Sequence, residues 1–215
     1  MKPVMRLNFE SKTRITSHIK RLVLVLVAVS AAGCVATTRS LDPETALHYD
    51  ASYDFTDKKA IVNELSSSLL ADTEVNQVGS RPVIVSYGIA NETFEHINTG
   101  GISDDIRANL IAARQFRFVN RRQRENLNAE TEYQYTGFVP EEERVAQGRQ
   151  LGADFILSGT LRSIEKTEPR HWRLHRRELI YYSMTLEMTN LTTGEIAWTD
   201  SVEIAREATK PIFRW

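Results

Sequence analysis

Residues 179–191 read LIYYSMTLEMTNL. Tyr182, Met184, Leu186 and Met188 fall on one side of a period-two pattern, with Tyr181, Ser183, Thr185, Glu187 and Thr189 on the other. Successive strand side chains point to opposite faces, so the alternation predicts a strand with one face in a core and one toward water. Asn190 to Gly194 supplies turn residues, and Glu195 to Ala205 returns as another strand carrying Ile196, Trp198, Val202 and Ile204. Upstream, Ala153 to Ile164 (ADFILSGTLRSI) starts apolar and then alternates. These strands make a β-meander.

The preceding region has a different period. Pro82 to Ala90 (PVIVSYGIA) is a continuous β-branched run, as a central strand requires. Gly101 to Ala113 predicts a helix with a stripe of Ile102, Ile106, Leu110 and Ala113, Ser103 or Thr99 as cap, and Asp104 and Asp105 in its first turn. Phe116 to Val119 is a short strand, and 120–139 a mobile helix plus loop. Pro140 followed by Glu141, Glu142 and Glu143 predicts a further helix running to Gly152, with Val145 and Leu151 as its apolar contacts. Ile61, Leu65 and Leu69 predict a helix over 57–71, capped by Asp57 and packed on the domain edge. The order β-α-β-α-β followed by a meander predicts an α/β fold, one mixed sheet of about five strands flanked by helices.

The chain's 215 residues suffice for one well-cored domain. Its 27 Lys and Arg against 28 Asp and Glu conceal a split. Residues 1–33 hold Lys2, Arg6, Lys12, Arg14, Lys20 and Arg21 against Glu10, a balance of +5, which leaves −6 for the remainder. A mildly acidic folded part lacks the concentrated positive field of a nucleic-acid binder. Leu22 to Gly33 (LVLVLVAVSAAG) follows Lys20 and Arg21; as a helix it spans ~18 Å, short of the ~30 Å hydrocarbon core. Residues 1–33 therefore predict an export signal. Ala31-Ala32-Gly33-Cys34 places the sole cysteine at the acceptor position of a lipobox, which makes Cys34 the expected lipidation site. Val35 in place of Asp points to the outer membrane. Residues 35–56 read as a polar tether, 57–80 as a helix and linker, and 81–215 as the α/β domain.

Reactive chemistry is scarce. No glycine-rich phosphate loop follows the first strand, and Ile156 occupies the position where a nucleophile elbow around Ser158 would need glycine. His171 and His175 have helical metal-ligand spacing, but the segment joins two strands, and Arg170, Arg173, Arg176 and Arg177 would repel a cation. The carboxylate pairs fall at predicted helix starts, where the dipole favours the charged form over the raised pKa of a general acid. These readings predict no catalytic residue, no metal and no cofactor. The most unusual stretch is Arg162 to Arg177, which holds Lys166, Arg170, Arg173, Arg176 and Arg177 around Trp172. It reads either as a solvated hairpin tip or as a docking surface built on Arg170, Trp172, Arg173, Arg176 and Arg177, since Arg and Trp dominate binding hot spots. Phe213 and Trp215 near the end either fold back on the sheet or meet a partner.

Several motifs together resemble the penicillin-binding protein activator LpoB lipoproteins. They are Cys34 in its lipobox, Val83-Ile84-Val85 leading to Ile89-Ala90-Asn91-Glu92-Thr93 and His96-Ile97-Asn98-Thr99, Ile106-Arg107 with Leu110, and Phe116-Arg117-Phe118-Val119. To these add Leu151-Gly152-Ala153-Asp154-Phe155, the turn Leu191 to Trp198, and Lys210-Pro211-Ile212-Phe213-Arg214-Trp215. The Gly-Ala-Asp start alone also resembles TolB N-terminal and curli-secretion CsgG domains. The resemblance implies a TolB N-terminal-like fold and a non-catalytic outer-membrane lipoprotein on the periplasmic face. Its partner would be a class A penicillin-binding protein, whose peptidoglycan synthesis it would stimulate. A monomer is expected under that reading, whereas an oligomeric ring would favour an outer-membrane assembly or secretion accessory factor. Enterobacterial members carry a long Pro-rich tether; here 35–56 is short and contains only Pro43.

Overall fold

The computed structural model describes residues 38–40, 42, 45–46, 48–76, 81–147, 150–168 and 175–211. Contacts divide the chain into residues 1–42 and 43–215, and the second unit carries the fold. Its strands are β1 (Val83–Glu92), β2 (Arg117–Val119), β3 (Phe155–Thr167), β4 (His175–Asn190) and β5 (Ile196–Pro211). Its principal helices are α1 (Phe55–Ala71), α2 (Thr99–Ala112) and α3 (Arg124–Tyr133). The strands form one sheet in the order β2-β1-β3-β4-β5. β1 lies parallel to β2 and β3, and the β3–β4 and β4–β5 pairs are antiparallel. The helical crossover through α2 is what lets β1 and β2 run parallel.

The core lies between one face of the sheet and the pair α1 and α2. Leu157 and Leu161 of β3, Met184, Leu186 and Met188 of β4, and Trp198 and Val202 of β5 meet Ile61, Leu65 and Leu69 of α1 and Ile102, Ile106 and Leu110 of α2. Each such Leu or Ile contributes roughly 1.5–3 kcal/mol on full burial. Gly159 is required here, because a Cβ at that position would stand 2.6 Å from the Thr185 carbonyl oxygen. The opposite face, with Ser158 and Thr160 on β3 and Tyr181, Ser183, Thr185 and Glu187 on β4, is only half-buried. The period-two pattern of residues 179–191 therefore divides as expected. Asp154 ties three strands at its end of the sheet: its Oδ2 accepts from Val83 N at 2.8 Å, its own N–H donates to Val83 O at 2.7 Å, and its carbonyl accepts from Leu191 N at 2.9 Å.

Several expectations need correction. α1 starts two residues early, and Asp54 is its cap, accepting from Thr56 N at 2.8 Å and Asp57 N at 3.2 Å. Asp57 is the reciprocal member of the capping box and accepts from Asp54 N at 3.1 Å. α1 also belongs to the main core and not to an edge. Ala51 is fully buried with Ile180 and Tyr182, so the polar lead-in joins the domain before residue 56. In α2 the cap is Asn98, whose side chain accepts from Gly101 N at 3.3 Å. Thr99 Oγ1 instead donates to Ile89 O at 2.7 Å, and Asp104 and Asp105 fall beyond the first turn. There Asp105 pairs with Lys58 of α1 at 2.6 Å.

Of the helix expected over 140–152, the described residues form only a 3-10 turn at Glu141–Glu143. Its two apolar residues, Val145 and Leu151, stand 58% and 55% exposed, so it had no stripe to bury. The polar section before it is helical in α3, none of whose residues is buried.

Candidate docking surface

β1 ends at Glu92, opposite Arg162. Beyond that point β3 and β4 stay paired to Thr167 and Glu178, and β4 and β5 to His175 and Pro211. The sheet thus continues as a three-stranded ribbon that β1 does not reach. Its inner side is carried by Ala51, Ile180 and Tyr182, with Tyr53, Ile97, Ile204 and Ala208 packed around them. Tyr53 meets Tyr182 edge-on, with centroids 5.8 Å apart.

Two polar clusters, one at Glu95 and one at Asp57, brace this underside. Tyr182 Oη donates to Glu95 Oε1 at 2.7 Å, and Tyr53 N donates to Glu95 Oε2 at 3.3 Å. Burial pushes the Tyr182 phenol well above its ordinary pKa, and the Glu95 hydrogen bond adds to this. Burial also raises Tyr53, with Asp57 and Asp54 contributing. Both phenols are thereby held in the neutral form, Tyr182 as a hydrogen-bond donor to Glu95. The second brace is an ion pair between the Arg206 guanidinium of β5 and Asp57 of α1, whose side chain is fully buried.

The outer side of the ribbon carries Ile164, 56% exposed, and Leu179, 42% exposed, among otherwise polar positions. Register puts Lys166 beside Leu179 and Glu207 beyond it, so an aliphatic pair is bordered by both signs of charge. A groove of about 330 Å³ runs between Lys166, Glu168, Arg177, Leu179 and Glu207.

Of the residues singled out in sequence, Cys34, Arg170, Trp172 and Arg173 lie outside the described residues. Arg176 is placed by backbone only, opposite Lys210. Arg177 is placed fully, 3.9 Å from Glu168 and 3.6 Å from Glu207. Two exposed carboxylates balance its charge, and pairs of that exposure stabilise by only about 0–1 kcal/mol. Sequence reasoning missed Ile164 and Leu179. Their signal was present: each puts an aliphatic side chain on the face that the alternation assigns to polar residues.

Among the described residues no group of three or more His, Cys, Asp or Glu side chains is placed to hold a metal ion. The surface offers shape, apolar area and ion-pairing groups on an α/β domain, the features of a binding module. Residues 57–204 match the family model of the peptidoglycan-synthase activator LpoB, more than half of the chain, and the protein belongs to that family. It is a non-catalytic outer-membrane lipoprotein facing the periplasm, and it regulates peptidoglycan synthesis through a class A penicillin-binding protein. The synthase regulator is thus favoured over the assembly factor. Solved structures similar to the chain include the LpoB C-terminal domain from Salmonella enterica, at 15% identity and TM-score 0.44 over 69% of this chain and 98% of that one. The corresponding Escherichia coli domain has the same identity and coverages with TM-score 0.43. Lipoprotein GNA1162 from Neisseria meningitidis follows at 15% identity and TM-score 0.36, over 59% and 84% of the two chains. No curated protein matches the chain in sequence.

Proposed function

We propose that the three-stranded ribbon is the surface that docks on the class A penicillin-binding protein, and that acylated Cys34 anchors the protein in the outer membrane. Ile164 and Leu179 form the apolar centre of the contact. Arg170, Trp172, Arg173, Arg176 and Arg177 supply its charged end. The observation that carries this reading is the exposed aliphatic pair on a braced ribbon, an arrangement that offers rigid apolar area for a partner to cover. Activation follows if the ribbon binds the active synthase conformation more tightly than the resting one. A tenfold shift toward the active state requires about 1.4 kcal/mol of differential affinity.

Reach sets a further condition. Because Ala51 is already in the domain, the tether from Cys34 is no longer than residues 35–50, or roughly 53–58 Å fully extended. The synthase must therefore come within the length of that tether plus the domain, measured from the outer membrane, to meet it.

The test is a glycan-polymerisation assay of the synthase with the wild-type protein and with the double variant Ile164→Ser/Leu179→Ser. At least a tenfold rise in the protein concentration needed for half-maximal stimulation, with unchanged circular dichroism, is the expected result. Undiminished stimulation by the variant would reject the ribbon as the docking surface. For the anchor, Cys34→Ala should move the protein from the membrane to the soluble fraction, and retention in the membrane would reject acylation at that residue.

A further inference from the structure

β2 is only three residues long, whereas β1 runs on beyond it to Glu92. At the carboxyl end of β2 the sheet therefore steps back, and a cavity of about 550 Å³ opens between β1, α2 and the turn after β2. This is the size of a small-molecule site, and parallel α/β sheets hold ligands beyond the carboxyl ends of their strands.

β1 is irregular where it borders the cavity. Its register against β3 shifts between Ser86 and Gly88, leaving Tyr87 as the extra residue, and Gly88 has φ of 87°. That conformation favours glycine and marks a bulge of the kind that re-aims a side chain. Tyr87 forms part of the cavity wall, and the Arg121 guanidinium sits 4.2 Å over its ring. Deeper in, Ser86 Oγ and Ser103 Oγ lie 3.0 Å apart, a hydroxyl pair between β1 and α2.

Charge gives the site its sign. Arg107, Arg121 and Arg122 all line the cavity. Arg107 and Arg122 share one carboxylate, Asp104, at 2.9 and 3.0 Å. Glu125 is the one acid among the residues that line the cavity, and Asp104 stands behind the arginines. The two carboxylates leave one of the guanidinium charges uncompensated. Each contact with Asp104 is made by one nitrogen of a group that carries five N–H donors, so the cavity holds a large surplus of donors over acceptors. Ile111 and Phe118 supply apolar wall. Surplus forked donors, hydroxyls and a cation-capped aromatic ring favour an oxyanion over a cation or a neutral sugar.

We infer that the cavity between Tyr87, Arg107, Arg121 and Arg122 is a binding site for a small oxyanion-bearing ligand, with its carboxylate or phosphate on the arginines and its apolar part against Ile111 and Phe118. The site lies on β1, β2 and α2, on different strands from the outer face of the ribbon, and it does not depend on the proposed docking surface.

The test is a two-dimensional amide NMR titration of the protein with inorganic phosphate and, separately, with N-acetyl-alanyl-alanine. The amide-capped peptide and sodium chloride at matched ionic strength serve as controls. The expected result is saturable shifts of the Tyr87, Gly88, Asn120 and Arg121 amides with one or both probes, and at least fivefold weaker binding in Arg121→Ser. Shifts with phosphate alone assign a phosphate ligand, shifts with the peptide alone assign a carboxylate, and shifts with both assign a general oxyanion site. Should Arg121→Ser fail to fold, Arg122→Gln provides the same comparison. The inference is overturned if neither probe moves these amides beyond the controls, or if the folded variant binds as the wild type does. No synthase enters the experiment, so its outcome is separate from that of the activation assay.

Discussion

Replacing Arg206 by alanine tests whether the ribbon is held by its ion pair to α1. Asp57 is 1% exposed and lies in the first turn of α1, while Arg206 reaches it from β5. Arg206→Ala leaves a buried carboxylate without its counter-ion, and breaking a buried pair from one side costs about 3–5 kcal/mol. For a domain of this size each kcal/mol lowers Tm by roughly 2–4 °C, so a loss near the lower bound amounts to about 6–12 °C. Asp57→Asn is the informative partner: its amide oxygen keeps an acceptor for the Asp54 N–H, while the charge is lost and an NH2 replaces the oxygen that faced Arg206. The double variant Asp57→Asn/Arg206→Ala should then recover part of the loss, because no unpaired charge remains. Urea denaturation followed by far-UV circular dichroism supplies the four free energies of the cycle. A loss below about 1 kcal/mol for Arg206→Ala, or additivity within about 0.5 kcal/mol, would refute the buried pair as a brace.

Gly159→Ala would place a Cβ 2.6 Å from the Thr185 carbonyl oxygen and 3.0 Å from Met184 Cε. It should destabilise the β3–β4 pairing by about 1–3 kcal/mol, read from the same denaturation experiment. Burial alone would raise the Asp54 pKa, but hydrogen bonds from His48 and from the Asp57 and Thr56 N–H groups outweigh it and hold the carboxyl below its ordinary value. A depressed folded-state pKa contributes stability above the unfolded value of ~3.9, and that stability is lost as pH falls through the folded value. The gap in Tm between wild type and Asp54→Asn should accordingly be open at pH 6 and close below about pH 4; a gap that persists at acid pH would assign the effect to something other than the carboxylate's charge.

The fold was legible wherever burial imposes a period. Residues 179–191 show their two faces in the bare sequence, and the inner row Tyr182, Met184, Leu186 and Met188 is buried as that period requires. PVIVSYGIA reads as a central strand because β1 lies between two neighbours. Caps were less legible, since Asp54, Asp57, Asn98, Thr99 and Ser103 are all good capping residues and tertiary partners choose among them. Thr99 is drawn to the Ile89 carbonyl and Ser103 to Ser86, which leaves Asn98 as the cap of α2. The acidic start at Pro140 misled because it is a start signal without an amphipathic stripe behind it, and a helix with nothing to bury is marginal in water. The proposed docking surface was half legible: arginine density drew attention to residues 170–177, while Ile164 and Leu179 gained significance only when the register placed them on one uncovered face. The cavity at β2 gave no sequence signal, because it depends on a difference in length between two strands separated by residues 93–116.

The route by which the chain enters the domain bears on how such a regulator transmits load. The lead-in to α1 packs Ala51 and Tyr53 against Ile180 and Tyr182, directly beneath the ribbon that carries Ile164 and Leu179 on its other side. Glu95 holds Tyr53 and Tyr182 together, and Asp57 at the start of α1 holds Arg206 of β5. Tension arriving along a tether from Cys34 would therefore enter at the base of the proposed docking surface and not at the far edge of the sheet. A strand pulled at an edge peels one hydrogen bond at a time, whereas a pull spread over two buried contacts and an ion pair must break them together. The short tether and the braced ribbon are consistent with each other on this view: a domain held close to its membrane needs its partner-binding surface and its point of attachment to share one rigid unit.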